Sequence, residues 1–158
     1  MNKRLIVVLA IFSAILASMA WAGPADFIKE LKEKDIIGGI KSPAGAKVYF
    51  ISPKDGETVT NPVLIQFGLK VMGVAPAQIR MQNTGHHHLI INKPLLKIDL
   101  NRPLDPEDPL IRHYDNGETE TLVKFGPGVY KLRLILGNDA HIPHDPPVLS
   151  EEITITVQ

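Results

Sequence analysis

VYKLRLIL (residues 129–136) places Tyr130, Leu132, Leu134 and Leu136 at every second position, with Lys131 and Arg133 between the first of them. A period of two belongs to a β-strand with one buried face, and GPG (126–128) supplies the turn that leads into it. The same pattern extends outward in both directions. KVYFISP (47–53) is a strand closed by Pro53, and TNPVLIQFGLKV (60–71) aligns Val63, Ile65, Phe67 and Leu69 on one face. HHHLIIN (86–92), ETLVKF (120–125) and EEITITV (151–157) complete the set, with turns at PKDGE, YDNGE and FGPG. Short strands separated by turns, with no second helical pattern, predict an all-β immunoglobulin-like antiparallel sandwich of about seven strands over residues 46–158. KPLLKIDLNRPLDPEDPLIRHYDNGE (93–118) carries four prolines and several carboxylates, and reads as a long surface excursion with at most one short strand.

Two segments precede the sandwich. Lys3 and Arg4, an apolar run from Leu5 to Leu16 and the small-residue end Ala20-Trp21-Ala22 form a secretory signal peptide over residues 1–22. The run is too short to span a bilayer, so the expectation is cleavage after Ala22, no remaining membrane span, and a periplasmic or secreted protein. Residues 23–45 read as a short amphipathic helix and linker, with Asp26 as N-cap, Phe27, Ile28 and Leu31 on one face, and Gly38-Gly39 as the stop.

Composition excludes several functions. Of the 17 Lys+Arg, Lys3 and Arg4 leave with the leader, so 15 face 17 Asp+Glu and there is no basic block to bind nucleic acid. The chain has no cysteine, hence no disulfide, thiolate nucleophile or thiolate metal ligand, and a blue-copper centre is ruled out. After the leader the serines are Ser42, Ser52 and Ser150, the first two directly before proline and none in a nucleophile elbow. Glycine-rich phosphate loops are absent, and no organic cofactor is expected. The carboxylates Asp105, Glu107, Asp108, Glu118 and Glu120 read as solvated groups, and no catalytic residue is assigned.

The histidines are the chemistry-bearing residues. Three of the six are consecutive, His86, His87 and His88, and are followed by Leu89, Ile90 and Ile91. On a strand, His86 and His88 point one way, about 7 Å apart along the backbone, and His87 points the other. The apolar residues that follow imply burial, and a buried imidazole must be hydrogen-bonded or hold something. The second cluster is GNDAHIPHDPPV (137–148), where prolines stiffen an extended loop carrying His141, His144 and Asp145.

YFISPKDGETVTNPV (49–63), GHHHLIIN (85–92), HYDNGETET (113–121), GPGVYKLRLILGN (126–138) and HIPHDPPVLSEEITITV (141–157), in that order, resemble the small exported bacterial domains of the domain-of-unknown-function family 4399. The resemblance covers about residues 47–157 and assigns no activity. It implies that the recurrent polar positions are the triplet, His113 and the His141/His144 pair, and that an Asp usually follows the Gly of the last long strand. This chain has Asn138 there, with Asp139 next.

From these residues the expected site is a metal centre of His86, His88, His141 and His144, joined by His87 or His113, with Asp139 or Asp145 orienting a ring from behind. Neutral imidazoles without thiolates suit copper(II), zinc or nickel(II). Met72 and Met81, thioethers that would favour copper(I), read as core residues. Sequestration or delivery of copper or zinc is the expected function, with the metal ion or another periplasmic protein as partner. The alternative is a non-catalytic structural or protein-interaction module whose histidines form a hydrogen-bonded clasp. A metal-dependent hydrolase, with Asp139 or Asp145 as base, comes third.

Overall fold

The computed structural model describes Gly23 and residues 40–158, so the signal peptide and nearly all of the expected N-terminal helix lie outside the described residues. Within the described residues nine strands form: β1 (Lys47–Ser52), β2 (Thr58–Val59), β3 (Val63–Lys70), β4 (Gly73–Val74), β5 (Thr84–Ile91), β6 (Ile111–His113), β7 (Glu120–Val123), β8 (Gly128–Gly137) and β9 (Ile153–Val157). Apart from the two-residue β2 and β4, this is the expected set. No described helix is long and apolar enough to cross a membrane.

The strands make two sheets. One has the order β1-β3-β7, the other β2-β9-β8-β5-β4, with β6 also paired to β5. Pairing is antiparallel except where β2 joins β9 and β4 joins β5. β1, β3 and β7 lie in the small sheet and β5, β8 and β9 in the large one, a division of strands of the kind found in immunoglobulin-like sandwiches.

Alternation decides which residues fill the space between the sheets. Val63, Ile65 and Phe67 of β3 face Leu89 and Ile91 of β5, Leu132, Leu134 and Leu136 of β8, and Ile153, Ile155 and Val157 of β9. Full burial of each such side chain is worth about 1.5–3 kcal/mol, and the chain, without cysteine, has no disulfide to add to it. Leu69 and Tyr130 pack at the margin of this core.

The 93–118 excursion behaves differently from the loop expected. It contains a single 3-10 turn (Leu95–Lys97) and β6, and it folds down on the outer face of the large sheet. Leu104, with Ile98 and Leu100 beside it, packs on Ile90, Ile111 and Ile135 to form a second small core. Ile90 and Ile135 are the outward residues of β5 and β8, so a strand buried on both sides, as LII in HHHLIIN implies, needs this second cover. Prolines made the segment look irregular, and its apolar residues at uneven spacing carry no period that sequence could read.

Candidate metal centre

β5 is the most enclosed strand of the large sheet, with every residue from Gly85 to Ile91 buried. Its alternation splits the triplet as expected. His86, His88 and Ile90 face outward toward the excursion, and His87, Leu89 and Ile91 face the core between the sheets. All three histidines have no exposed surface.

Neighbouring strands bring the partners. His113 of β6 lies opposite His88 in the antiparallel register, so their rings share a face, with centroids 4.6 Å apart. Gly137 of β8 lies opposite His86, and a Cβ there would sit 2.6 Å from His88 Cε1, so only glycine leaves the ring its place. Beyond Gly137 the chain turns back. Asn138 Oδ1 accepts the N–H groups of Ala140 and Ile142, both at 2.9 Å, and the His141 N–H donates to the Asn138 carbonyl at 3.0 Å. This tight loop holds His141 at φ +62°, a left-handed conformation uncommon for a non-glycine residue and sustained here by the surrounding bonds. The Leu104 N–H, donating to the His141 carbonyl at 3.0 Å, fixes the loop to the excursion.

The result is a group of imidazoles converging on one atom. His141 Nδ1 lies 3.0 Å from His86 Nε2, 3.2 Å from His88 Nε2 and 3.2 Å from His113 Nδ1. His86, His88 and His141 each offer a ligand atom within 4.8 Å of the others, and so do His113, Asp115 and His141. Asp115 Oδ1 stands 3.8 Å from His86 Nε2 and 3.9 Å from His141 Nδ1. This buried histidine group could hold a metal ion, and its nitrogens are also within hydrogen-bond reach of one another.

Burial sets the protonation. Desolvation, followed by the neighbouring His141, pushes His86 down to about 4. Desolvation also takes His87 to about 4 against the opposing pull of the Glu118 carbonyl, and carries His88 well below the ordinary imidazole range. His141 is lowered as well, chiefly by burial. These rings are therefore neutral near pH 7, the form that offers a lone pair to a cation. His113 Nε2 donates to the Asp105 carbonyl at 3.3 Å, which leaves its Nδ1 as the lone-pair atom toward His141. His86 Nδ1 is buried with no hydrogen-bond partner.

The remaining expected residues lie elsewhere. His144 is buried, but its Nδ1 donates to the Ile40 carbonyl at 3.2 Å and its Nε2 approaches Gly85, on the core side of β5. It does not enter the cluster, because Pro143 pairs with Gly137 of β8 and the next residue, His144, lies on the opposite face of the sheet from His86 and His88. His87 stacks on Phe67 at 5.0 Å between centroids and donates through Nδ1 to the Glu118 carbonyl at 3.2 Å. Asp139 pairs with Arg80 at 3.3 Å instead of orienting a ring. Asp145 is exposed and works through its backbone, exchanging bonds with Ile40 and Ser42. Met72 is in the core, whereas Met81 is 58% exposed, contrary to the core position expected.

Asp115 is the residue that sequence reasoning missed. In the sequence it reads as part of the turn YDNGE, yet it lies two positions after His113, the spacing that puts two side chains on one face of an extended chain. Asn138 stands where the resemblance places an aspartate, and its amide oxygen accepts the two loop N–H groups.

A family model described as Domain of unknown function (DUF4399) matches residues 65–158, from the middle of β3 to the end of the chain, and so includes every residue of the histidine group. No curated protein and no solved structure matches the chain.

Proposed function

The chain belongs to the DUF4399 family, whose description records no activity, and on that premise we propose that it is an exported domain that binds a transition-metal ion, copper(II) or zinc, through His86, His88 and His141, in sequestration or delivery. One observation carries this reading: a single nitrogen, His141 Nδ1, has three other ring nitrogens at 3.0–3.2 Å. A ring nitrogen has either one proton or one lone pair, so at most one of those three approaches can be a good hydrogen bond. Left without a cation, the group is an unsatisfied polar cluster in a buried place, which is costly. An ion shared by His86, His88 and His141 uses three of these lone pairs at once. With metal–nitrogen bonds of about 2.0–2.1 Å, tetrahedral ligand atoms lie about 3.4 Å apart, close to the separations here.

The ligand chemistry fits the same ions. Neutral imidazoles with one nearby carboxylate and no thiolate suit copper(II) and zinc better than calcium or magnesium, which take mostly oxygen ligands. The clasp reading is favoured at two other histidines. His87 and His144 each spend one nitrogen on a backbone carbonyl from a distant segment, which ties the segments together. The protein thus divides its histidines between architecture and binding.

The test is equilibrium dialysis of the untagged, leaderless chain against competing Cu²⁺, Zn²⁺ and Ni²⁺, read by elemental mass spectrometry, with a His86→Ala, His88→Ala double variant in parallel. Retention of close to one equivalent that disappears in the variant supports the proposal. Equal metal content in both proteins, or none in either at micromolar supply, overturns it.

A further inference from the structure

Asp115 stands at an unusual distance from its neighbours. At 3.8 Å from His86 Nε2 and 3.9 Å from His141 Nδ1, its Oδ1 is too far for a hydrogen bond to either. It is nevertheless close enough to share one ion with each, because two ligands on a metal with bonds of about 2.0–2.2 Å lie up to about 4.2 Å apart. With His113 and His141 it completes a second donor group that overlaps the first only at His141.

The two groups differ in access and in charge. The inner one is built on His86 and His88, which have no exposed surface, whereas the His141 side chain is 28% exposed and that of Asp115 52%. A hydrated dication must lose its waters before it fits a buried three-nitrogen seat, and an anionic oxygen at the solvent side compensates charge while that happens. Resting on the metal-binding reading above, we propose that His113, Asp115 and His141 form an outer seat through which a divalent transition-metal ion enters and leaves the inner seat of His86, His88 and His141. The ion exchanges Asp115 and His113 for His86 and His88 while His141 Nδ1 remains bound. No electron or proton transfer is needed, only replacement of ligands on one cation. The loop built by Asn138 suits the shared ligand, since it holds His141 between the two groups in a fixed backbone conformation. The Asp105 carbonyl presets the His113 ring with Nδ1 inward.

The experiment measures exchange of Cu²⁺ between the leaderless chain and a chromophoric chelator by stopped flow, in both directions, together with the equilibrium affinity from the same competition. Asp115→Asn changes an exposed side chain and preserves its shape. Asp115→Asn with His113→Gln removes the outer seat. The expected result is that uptake and release both slow by about tenfold or more in the double variant and less in the single one, with affinity changed by no more than about threefold. Unchanged rates, or a loss of affinity with faster release, would overturn the proposal, the second outcome making Asp115 and His113 ordinary ligands of the resting ion. Failure of the wild-type chain to take Cu²⁺ from the chelator at any ratio would sink the metal-binding reading itself, and this inference with it.

Discussion

His86 Nε2 and His141 Nδ1 lie 3.0 Å apart although 55 residues separate them in the chain. One belongs to a buried central strand and the other to a loop past the end of its neighbour. The relationship exists because β5 and β8 pair in a register that sets His86 against Gly137, after which Asn138 turns the chain back over the sheet.

Substitutions in the group of His86, His88 and His141 and at His144 should therefore separate into two classes. His88→Ala and His141→Ala are expected to weaken Cu²⁺ or Zn²⁺ binding by more than about 100-fold, beyond the range usual for residues behind a ligand. His144→Ala, which removes a buried ring bonded to the Ile40 carbonyl, should lower stability by about 2–4 kcal/mol and leave metal affinity nearly intact. Competition titration and denaturant unfolding on the same samples check both. A His144 variant that loses metal without losing stability would contradict this division.

Gly137→Ala adds one methyl group where a Cβ would meet His88 Cε1 at 2.6 Å. Either the ring or the backbone must move, at a cost of about 1–3 kcal/mol for an overpacked core. The expected variant is folded, less stable, and weaker in metal binding, as thermal melts with and without Zn²⁺ would reveal.

Asn138 should act on binding through His141. Asn138→Ala leaves the Ala140 and Ile142 N–H groups without their acceptor, a loss of about 1–3 kcal/mol. Asn138→Asp keeps an acceptor oxygen at the same place and should restore most of the affinity lost in the alanine variant. Equal damage from both substitutions would show that the loop does not depend on this oxygen.

The metal-free protein is expected to become acid-labile well above the usual carboxylate range. Burial holds His86 and His87 near 4 in the folded state against 6.5 for a free imidazole, with His88 and His141 also depressed. The unfolded chain therefore binds more protons than the folded one between these values. Stability is complete above about pH 6.5 and falls as the pH drops toward 4, by up to about 3 kcal/mol for each of His86 and His87. Asp115, the carboxylate facing His86 and His141, opposes this loss, and His113 reinforces it. Chemical unfolding in metal-free buffer at pH 7, 5.5 and 4.5 measures the slope. A flat profile would mean that the rings are solvated.

Metal supplied in excess should raise the midpoint of thermal unfolding. At a free concentration 100 times the dissociation constant the gain is about 2.7 kcal/mol, which for a domain of this size is on the order of 10 °C. Calorimetry of the wild type and of His88→Ala would show the rise in the first and its absence in the second.

The amino-acid pattern alone determined the β-sandwich and the split of the triplet, because both depend on the period of two in an extended chain, a local property. Val63, Ile65 and Phe67, or Leu132, Leu134 and Leu136, declare their shared face without reference to any other segment. The identity of the cluster was only partly legible. The sequence predicts His86, His88, His141 and His144 together, with His87 or His113 joining them, and the structure groups the first three with His113 and Asp115 and leaves His87 and His144 outside. That outcome hangs on strand register, which places His113 opposite His88, and on a loop whose left-handed His141 and following prolines send His144 to the other side of the sheet. Register and loop path arise from packing between segments far apart in sequence, such as Leu104 on Ile90 and Ile135. Only the folded chain could decide them.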